Sequence, residues 1–198
     1  MGVPKLDWKT KTTIILVSGK AGVGKTTFSN LFIKNLPEEV RKYSGKYSFA
    51  SGVKFAAKVM GWDGLKDERG RKFLQNIGRI GRQYDVNIWV QNVINLIEDI
   101  NITPLDYIII DDWRFPNECR WFVERLNEYE VYTVRIYAPN REILKNTPEY
   151  NDISETALLE FSDGYYDYFY NNEGTLEELE EQARTIIFQI LEIEELRR

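Results

Sequence analysis

The sequence predicts an α/β fold with a mainly parallel sheet, and three observations predict it. Strand-like and helix-like stretches alternate along the 198 residues. A β-branched run at 12–18, Thr-Thr-Ile-Ile-Leu-Val-Ser, leads into residues 19–26, Gly-Lys-Ala-Gly-Val-Gly-Lys-Thr, which fit G-x-x-x-x-G-K-[ST]. A helical pattern leaves that loop, so the motif stands in the strand–loop–helix context it needs. At ordinary residue frequencies a chance match in a chain of this length has odds of about one per cent.

The elements follow in order. After the strand at 12–18 and the loop, Phe28, Leu31, Phe32 and Leu36 recur at helical spacing and Pro37 closes the helix. Residues 43–49 form a short strand candidate. Val53, Ala56, Ala57 and Met60 predict a helix ending near Gly61. Residues 64–84 are charged, with Phe73, Leu74, Ile77 and Ile80 expected on one apolar face. Trp89, Val93, Leu96, Ile97 and Ile100 mark another amphipathic helix. Residues 107–110 are an apolar strand running into Asp111 and Asp112. A helix is expected at 118–126 and a strand at 131–137. Pro139 and Asn140 make a turn, and 141–161 is polar and irregular. The last strand is expected at 165–170. Thr175 with Glu178 reads as a capping box for a final helix carrying Leu176, Leu179, Ala183, Ile186, Ile187 and Ile190. The acidic run 177–181 reads as a solvated helix face.

Composition narrows the chemistry. A content of 43% hydrophobic and 14% aromatic residues supports a packed core, and the length suits one domain. Net charge is −5, so no global basic footprint for nucleic acid is present. Cys119 is the only cysteine, which excludes an intrachain disulfide and is expected to be a small buried helix residue. The absence of histidine removes zinc sites of the usual kind, Ser-His and Cys-His nucleophiles, and histidine bases. Phosphoryl transfer survives that loss, because it depends on positioning and on cations. Residues 1–11 are polar with three lysines, so neither a signal peptide nor a membrane span is expected there, and a cytoplasmic protein with no membrane partner is.

The loop carries the firmest chemistry. Its glycines let successive backbone N–H groups approach a phosphate without Cβ obstruction, and the following helix starts at the same point with its positive end toward the anion. Gly19, Lys20, Ala21, Gly22, Val23, Gly24, Lys25, Thr26 and Thr27 are therefore the expected ATP-binding set. Lys25 is expected to reach the β- and γ-phosphates, and the Thr26 hydroxyl to hold Mg²⁺. Asp111 and Asp112, at the end of a strand in a chain with this loop, are the expected acidic partners of the metal, with Asp111 taken first. Arg114 follows at the carboxyl end of the same strand, where its fork can meet a phosphate or pair with Glu118 or another acid. Arg79 and Arg82, three apart, are expected on one helix face toward the phosphate of a second substrate. Arg69, Arg71 and Lys72 read instead as a solvated charged face. Lys54 is a further cation near a helix start, as a solvated residue or a phosphate ligand.

These residues, taken in order, resemble a known family. The series is the phosphate loop at 19–26, Phe-Ala-x-x-x-Lys at 49–54 and Gly-Arg-x-Tyr-Asp-x-Asn-x-Trp at 81–89. Asp-Asp-x-Arg-Phe-x-Asn-Glu at 111–118, Ser-Glu-Thr at 154–156 and Asn-x-Gly-Thr-Leu-Glu-Glu-Leu at 172–179 complete it. It resembles the bacteriophage-type deoxynucleoside monophosphate kinases, within the nucleoside-monophosphate-kinase class of P-loop proteins. The resemblance implies a three-layer sandwich around a five-stranded parallel sheet, all in one domain over 1–198. It places the P-loop βα unit at 12–38, a helical acceptor-binding region at about 49–100 and a lid at about 139–163. The implied reaction is ATP + dNMP → ADP + dNDP with Mg²⁺. Arg82 and Arg114 are then ligands of the monophosphate or of the moving phosphoryl group, joined by Lys54. Arg141 of the lid closes on the phosphates, and Asn172 and Gly174 border the adenine. A phage source implies the host cytoplasm, and a homodimer stays open.

Two positions depart from the family. Ser51-Gly52 stands where Asp-Pro is frequent, which bears on the base or sugar accepted. Asp152 stands where a histidine is common, which bears on the lid contact.

Other readings compete. The loop is one residue from the Lys-Gly-Gly-Val-Gly-Lys-Thr-Thr form of the deviant Walker A partition ATPases, in which Lys20 would act across a dimer. Their Asp-rich second motif has no counterpart at 41–47. A kinase of another small phosphorylated metabolite and a non-catalytic nucleotide-binding regulator are the remaining readings.

Overall fold

The computed structural model describes residues 11–99, 106–145, 147–158 and 165–196. Ile100, the first ten residues and the expected lid residues beyond 158 lie outside the described residues. The five strands are β1 (Thr12–Ser18), β2 (Ser44–Tyr47), β3 (Tyr107–Trp113), β4 (Tyr129–Tyr137) and β5 (Tyr168–Asn171). They form one sheet in the order β2-β3-β1-β4-β5, and every pairing is parallel. The expected five-stranded parallel α/β fold is the observed one. The chain leaves β1 first toward β3 and β2, then returns to its other side for β4 and β5. The carboxyl end of β1 is thus a topological switch point, where open α/β sheets bind ligands.

Both faces of the sheet are covered, which is why its central strands read as continuous apolar runs. Ile14, Ile15, Leu16 and Val17 are all fully buried. Ile15, Val17, Ile109 and Val134 pack with Phe28 and Phe32 of α1 (Lys25–Asn35) and with Ile186 and Ile190 of α8 (Leu176–Leu196). On the other face, Ile14, Leu16, Ile108 and Ile110 pack with Val90 and Val93 of α5 (Ile88–Asp99) and Phe122 of α6 (Pro116–Val123). Cys119 of α6 is half-buried at that core, and burial pushes its thiol up to about 11. The predicted capping box of α8 is formed: Thr175 N–H donates to Glu178 at 2.7 Å, and Glu178 N–H donates to the Thr175 hydroxyl at 3.2 Å. At the far end of α8, Glu194 accepts from the Thr13 hydroxyl at 2.6 Å and the Tyr107 hydroxyl at 2.7 Å. That acid ties the helix to the amino ends of β1 and β3, away from the loop.

Four sequence expectations are corrected. Helix α4 (Glu68–Tyr84) does not bury an Ile80 face; Ile80 is 62% exposed, and the residues it buries are Gly70 and Gly78. The helix approaches its neighbours through glycine backbone: a Cβ at Gly81 would lie 2.4 Å from the Trp89 ring, and the Trp89 indole N–H donates to the Gly78 carbonyl at 3.0 Å. Helix α5 buries Val90, Val93 and Ile94 rather than Leu96. Strand β5 begins later than expected because the Asp167 carboxylate, not a strand carbonyl, takes the Thr133 N–H at 2.8 Å. The stretch expected to be irregular holds a 3₁₀ turn (Pro148–Asn151) and the one-turn helix α7 (Ile153–Thr156). The remaining elements are the short α2 (Glu38–Arg41) and α3 (Ala50–Val59). Among the described residues, no helix is long and apolar enough to cross a membrane.

Candidate active site

The loop at 19–26 follows β1 directly and is pressed against the carboxyl end of β4. A Cβ at Gly19, where φ is 142°, would lie 2.2 Å from the Ile136 carbonyl oxygen. Gly24, at φ 100°, is the N-cap of α1 and offers no side-chain cap, so the first N–H groups of that helix are left for an anion. Lys25 folds back into the loop, where its ammonium donates to the Gly19 and Lys20 carbonyls at 2.7 Å each. Burial, and then the nearby Arg114 charge, lower its pKa to about 8. Thr26 and Thr27 are exposed at the start of α1.

Residues 139–145 and 147–158 lie over this loop. Ile143 N–H donates to the Ala21 carbonyl at 3.1 Å. The Lys20 ammonium is turned away from the cradle: it donates to the Tyr150 carbonyl at 3.2 Å and sits 4.0 Å over the Tyr150 ring. Glu155 of α7 reaches the cradle itself, accepting the Ala21 N–H at 3.1 Å on one oxygen and the Arg114 guanidinium on the other. Arg114 also donates to the Ser154 carbonyl at 2.8 Å. Arg141 is exposed and donates to the Gly174 carbonyl, on the outer side of the loop. Asn172 is 2% exposed and its amide donates to the Val23 carbonyl at 2.8 Å, which supports the loop from below.

A cleft of about 280 Å³ runs from Ala21 of the loop to Trp89 of α5. Phe49, Phe115 and Trp89 give it apolar walls, and Lys66, Arg71, Arg82 and Arg114 give it positive charge. The Arg82 guanidinium lies 3.9 Å over the Phe115 ring, and both residues line the cleft. Arg79 does not join it. Three residues leave two helix positions about 60° apart in projection, and Arg79 is exposed with its fork on Asn76 at 2.6 Å. Lys54 is half-buried on α3 behind the cleft, close enough to disfavour the Lys66 charge, which burial disfavours first.

Arg71, read from sequence as solvated, and Lys66 are on the wall; Arg71 donates to the Lys66 carbonyl at 2.8 Å. Arg71, Gln75, Gly78 and Arg82 all line the cleft at spacings of four, three and four, and that polar stripe was a helical signal available in the sequence.

The carboxylates divide by partner. Asp112 accepts from the Ser48 hydroxyl at 2.7 Å and from the Phe49 and Ala50 N–H groups at 2.9 Å each, so it caps α3 from across the sheet. Asp111 forms a 3.8 Å ion pair with Lys46. Arg114 finds its acid in Glu155, whereas Glu118 takes the backbone N–H groups of Arg114 and Phe115 at 2.8 and 3.0 Å.

Glu118 is 4% exposed. Burial pushes its carboxyl up to about 8, against the pull of those two backbone bonds. A raised native pKa contributes stability that is full below the ordinary carboxyl range and is lost as pH rises through 8. Glu118→Gln is therefore expected to flatten the fall in Tm between acid and pH 8. Glu118→Ala, which strands two backbone donors, is expected to lose about 1–3 kcal/mol in denaturant melts. A Gln variant with the wild-type Tm–pH curve would remove this account.

The fold and loop together are those of a P-loop α/β protein. No protein-family profile matches the chain. It is 33% identical over 153 residues to uncharacterized protein ORF77 of Ictalurid herpesvirus 1 (strain Auburn). The match covers 77% of this chain and 62% of that protein, so the chain spans about three fifths of its relative. Among solved structures it is similar to a thymidylate kinase from Ehrlichia chaffeensis, with 12% identity, TM-score 0.46, and 89% and 99% of the two chains covered. It is also similar to a shikimate kinase from Bacteroides thetaiotaomicron, with 15% identity, TM-score 0.44, and 91% and 98% covered. Neither likeness carries an argument about activity, and the fold stands on the sheet order above.

Proposed function

We propose that the chain is an ATP- and Mg²⁺-dependent phosphotransferase that moves the γ-phosphoryl group onto a (deoxy)nucleoside monophosphate. One observation carries the reading: the phosphate loop and a second set of cations, Arg71, Arg82 and Arg114, face one cleft. A loop of this kind takes a triphosphate. A facing arginine set with apolar walls suits a second phosphate joined to a flat base. Residues 49–99 then form the acceptor side and residues 139–158 the lid.

The acceptor phosphate is itself the nucleophile, so no strong general base is needed. The barrier is repulsion between anions and the charge growing on the bridging oxygen. Lys25 counters the charge from the donor side, and Arg82 and Arg114 from the acceptor side, most strongly where water is excluded. The residues present fit Mg²⁺. Thr26 is exposed one residue inside α1, and Asp111 is the less committed of two strand-end carboxylates. When bound, the ion neutralises phosphate charge and orients the oxygens. The turning of Lys20 onto Tyr150 speaks against a partition-type ATPase, which needs that lysine free to cross a dimer.

The test is ADP release measured across all dNMPs and NMPs, with a control lacking any acceptor. Release stimulated by one or a few monophosphates supports the reading. Release that no acceptor accelerates rejects it, and stimulation by a phosphorylated non-nucleotide alone would move the chain to the kinases of other small metabolites.

A further inference from the structure

We propose that Glu155 is an internal anion: its carboxylate competes with a phosphate for the loop, and ATP must expel it to bind. This rests on the reading of the site as an ATP-dependent phosphotransferase and adds a control to it. The loop has backbone N–H groups arranged for an anion, and Glu155 is an anion already bound there, through Ala21 N–H at 3.1 Å. Its second oxygen is held by the Arg114 guanidinium, and its side chain is only 5% exposed. A carboxylate so placed occupies the position and charge of a phosphate oxygen. The Ala21 N–H has one hydrogen and serves one acceptor at a time, so the two anions compete.

The short helix that carries Glu155 is built to aim it. Asp152 accepts from the Ser154 N–H at 2.8 Å and the Ser154 hydroxyl at 2.6 Å, and its carbonyl accepts from Thr156 Oγ1 at 3.0 Å. The segment around it is docked by other bonds, from Ile143 to Ala21 and from Lys20 to Tyr150. Glu155 can therefore swing out without the segment leaving the loop.

Its departure has a second effect. Arg114 belongs to the wall of the acceptor cleft, and while Glu155 sits on the loop the charge of Arg114 is spent on it. Expulsion of Glu155 by the donor phosphates frees that guanidinium for the phosphoryl group in transit. Donor arrival thus arms the acceptor side, and Glu155 on the loop keeps the arginine neutralised.

The experiment is calorimetric titration of the full chain with ATP and with inorganic tripolyphosphate, without acceptor. Wild type is compared with E155Q, E155D and E181Q. E155Q removes the charge. E155D keeps it on a side chain shorter by one bond of about 1.5 Å, too short for the cradle. Both are expected to bind both probes about tenfold tighter, the scale of one charge-assisted hydrogen bond no longer competing. E181Q removes a charge from the exposed face of α8, away from the loop, and is expected to change neither affinity. Wild-type affinity in both Glu155 variants, or an equal gain in E181Q, overturns the inference. If wild type binds ATP and transfers phosphate but the Glu155 variants gain nothing, this inference alone fails. If wild type binds neither probe, the phosphotransferase reading falls with it.

Discussion

Lys25→Ala is expected to lower acceptor-dependent turnover about a thousandfold or more, the scale on which a preorganised charged donor acts on a transferring phosphoryl group. The fold is expected to survive. In the wild type the ammonium is buried, and burial holds its pKa well below that of a free lysine, so the charged side chain costs the native state at neutral pH. Its removal relieves that cost while leaving the Gly19 and Lys20 carbonyls without their donor. The two effects oppose each other, so Tm is expected to move little while activity vanishes. Steady-state assays with a thermal melt on the same sample check both. Turnover near that of the wild type would sink the assignment of the donor site.

Arg114→Ala is expected to cost about a hundred- to a thousandfold in kcat, with a smaller change in the acceptor KM, because the guanidinium acts on charge that grows during transfer. Arg114→Lys is expected to recover little of it. A single ammonium cannot reproduce a fork that holds Glu155 and the Ser154 carbonyl at once. The stability loss is expected to be small, since α7 is a one-turn surface helix that can turn Glu155 to water. A variant whose defect lay wholly in KM would mean that Arg114 binds the acceptor and does no more.

Much of this was legible in the chain. The loop, the first strand, the last helix and its capping box follow from local patterns, and the structure has them where the patterns put them. Helix α4 was misread because its packing surface is glycine. A periodicity of large apolar residues cannot register a contact made by their absence, at Gly70, Gly78 and Gly81. The same error hid Arg71, which shares the Gly78 side of the helix. The partners of the acids were illegible for another reason. Asp112 meets Ser48, and Glu155 meets Arg114 and Ala21, across tens of residues of sequence, so no local spacing announces them. Sequence put Asp111 only slightly ahead of Asp112, and it takes the fold to show that Asp112 is a helix cap and that Glu155 is the acid of Arg114.

Asp112 and Arg114 stand two apart at the end of β3, and each clamps one jaw of the cleft. The first grips the start of α3 by three bonds, the second grips α7 through Glu155 and Ser154. The two grips differ in kind. The α3 grip ends on backbone N–H groups, which nothing in the catalytic cycle would replace. The α7 grip ends on a carboxylate whose seat a phosphate can take. Of the two grips, the one on α7 is thus the one that can change partner while its segment stays docked, and the one on α3 is fixed.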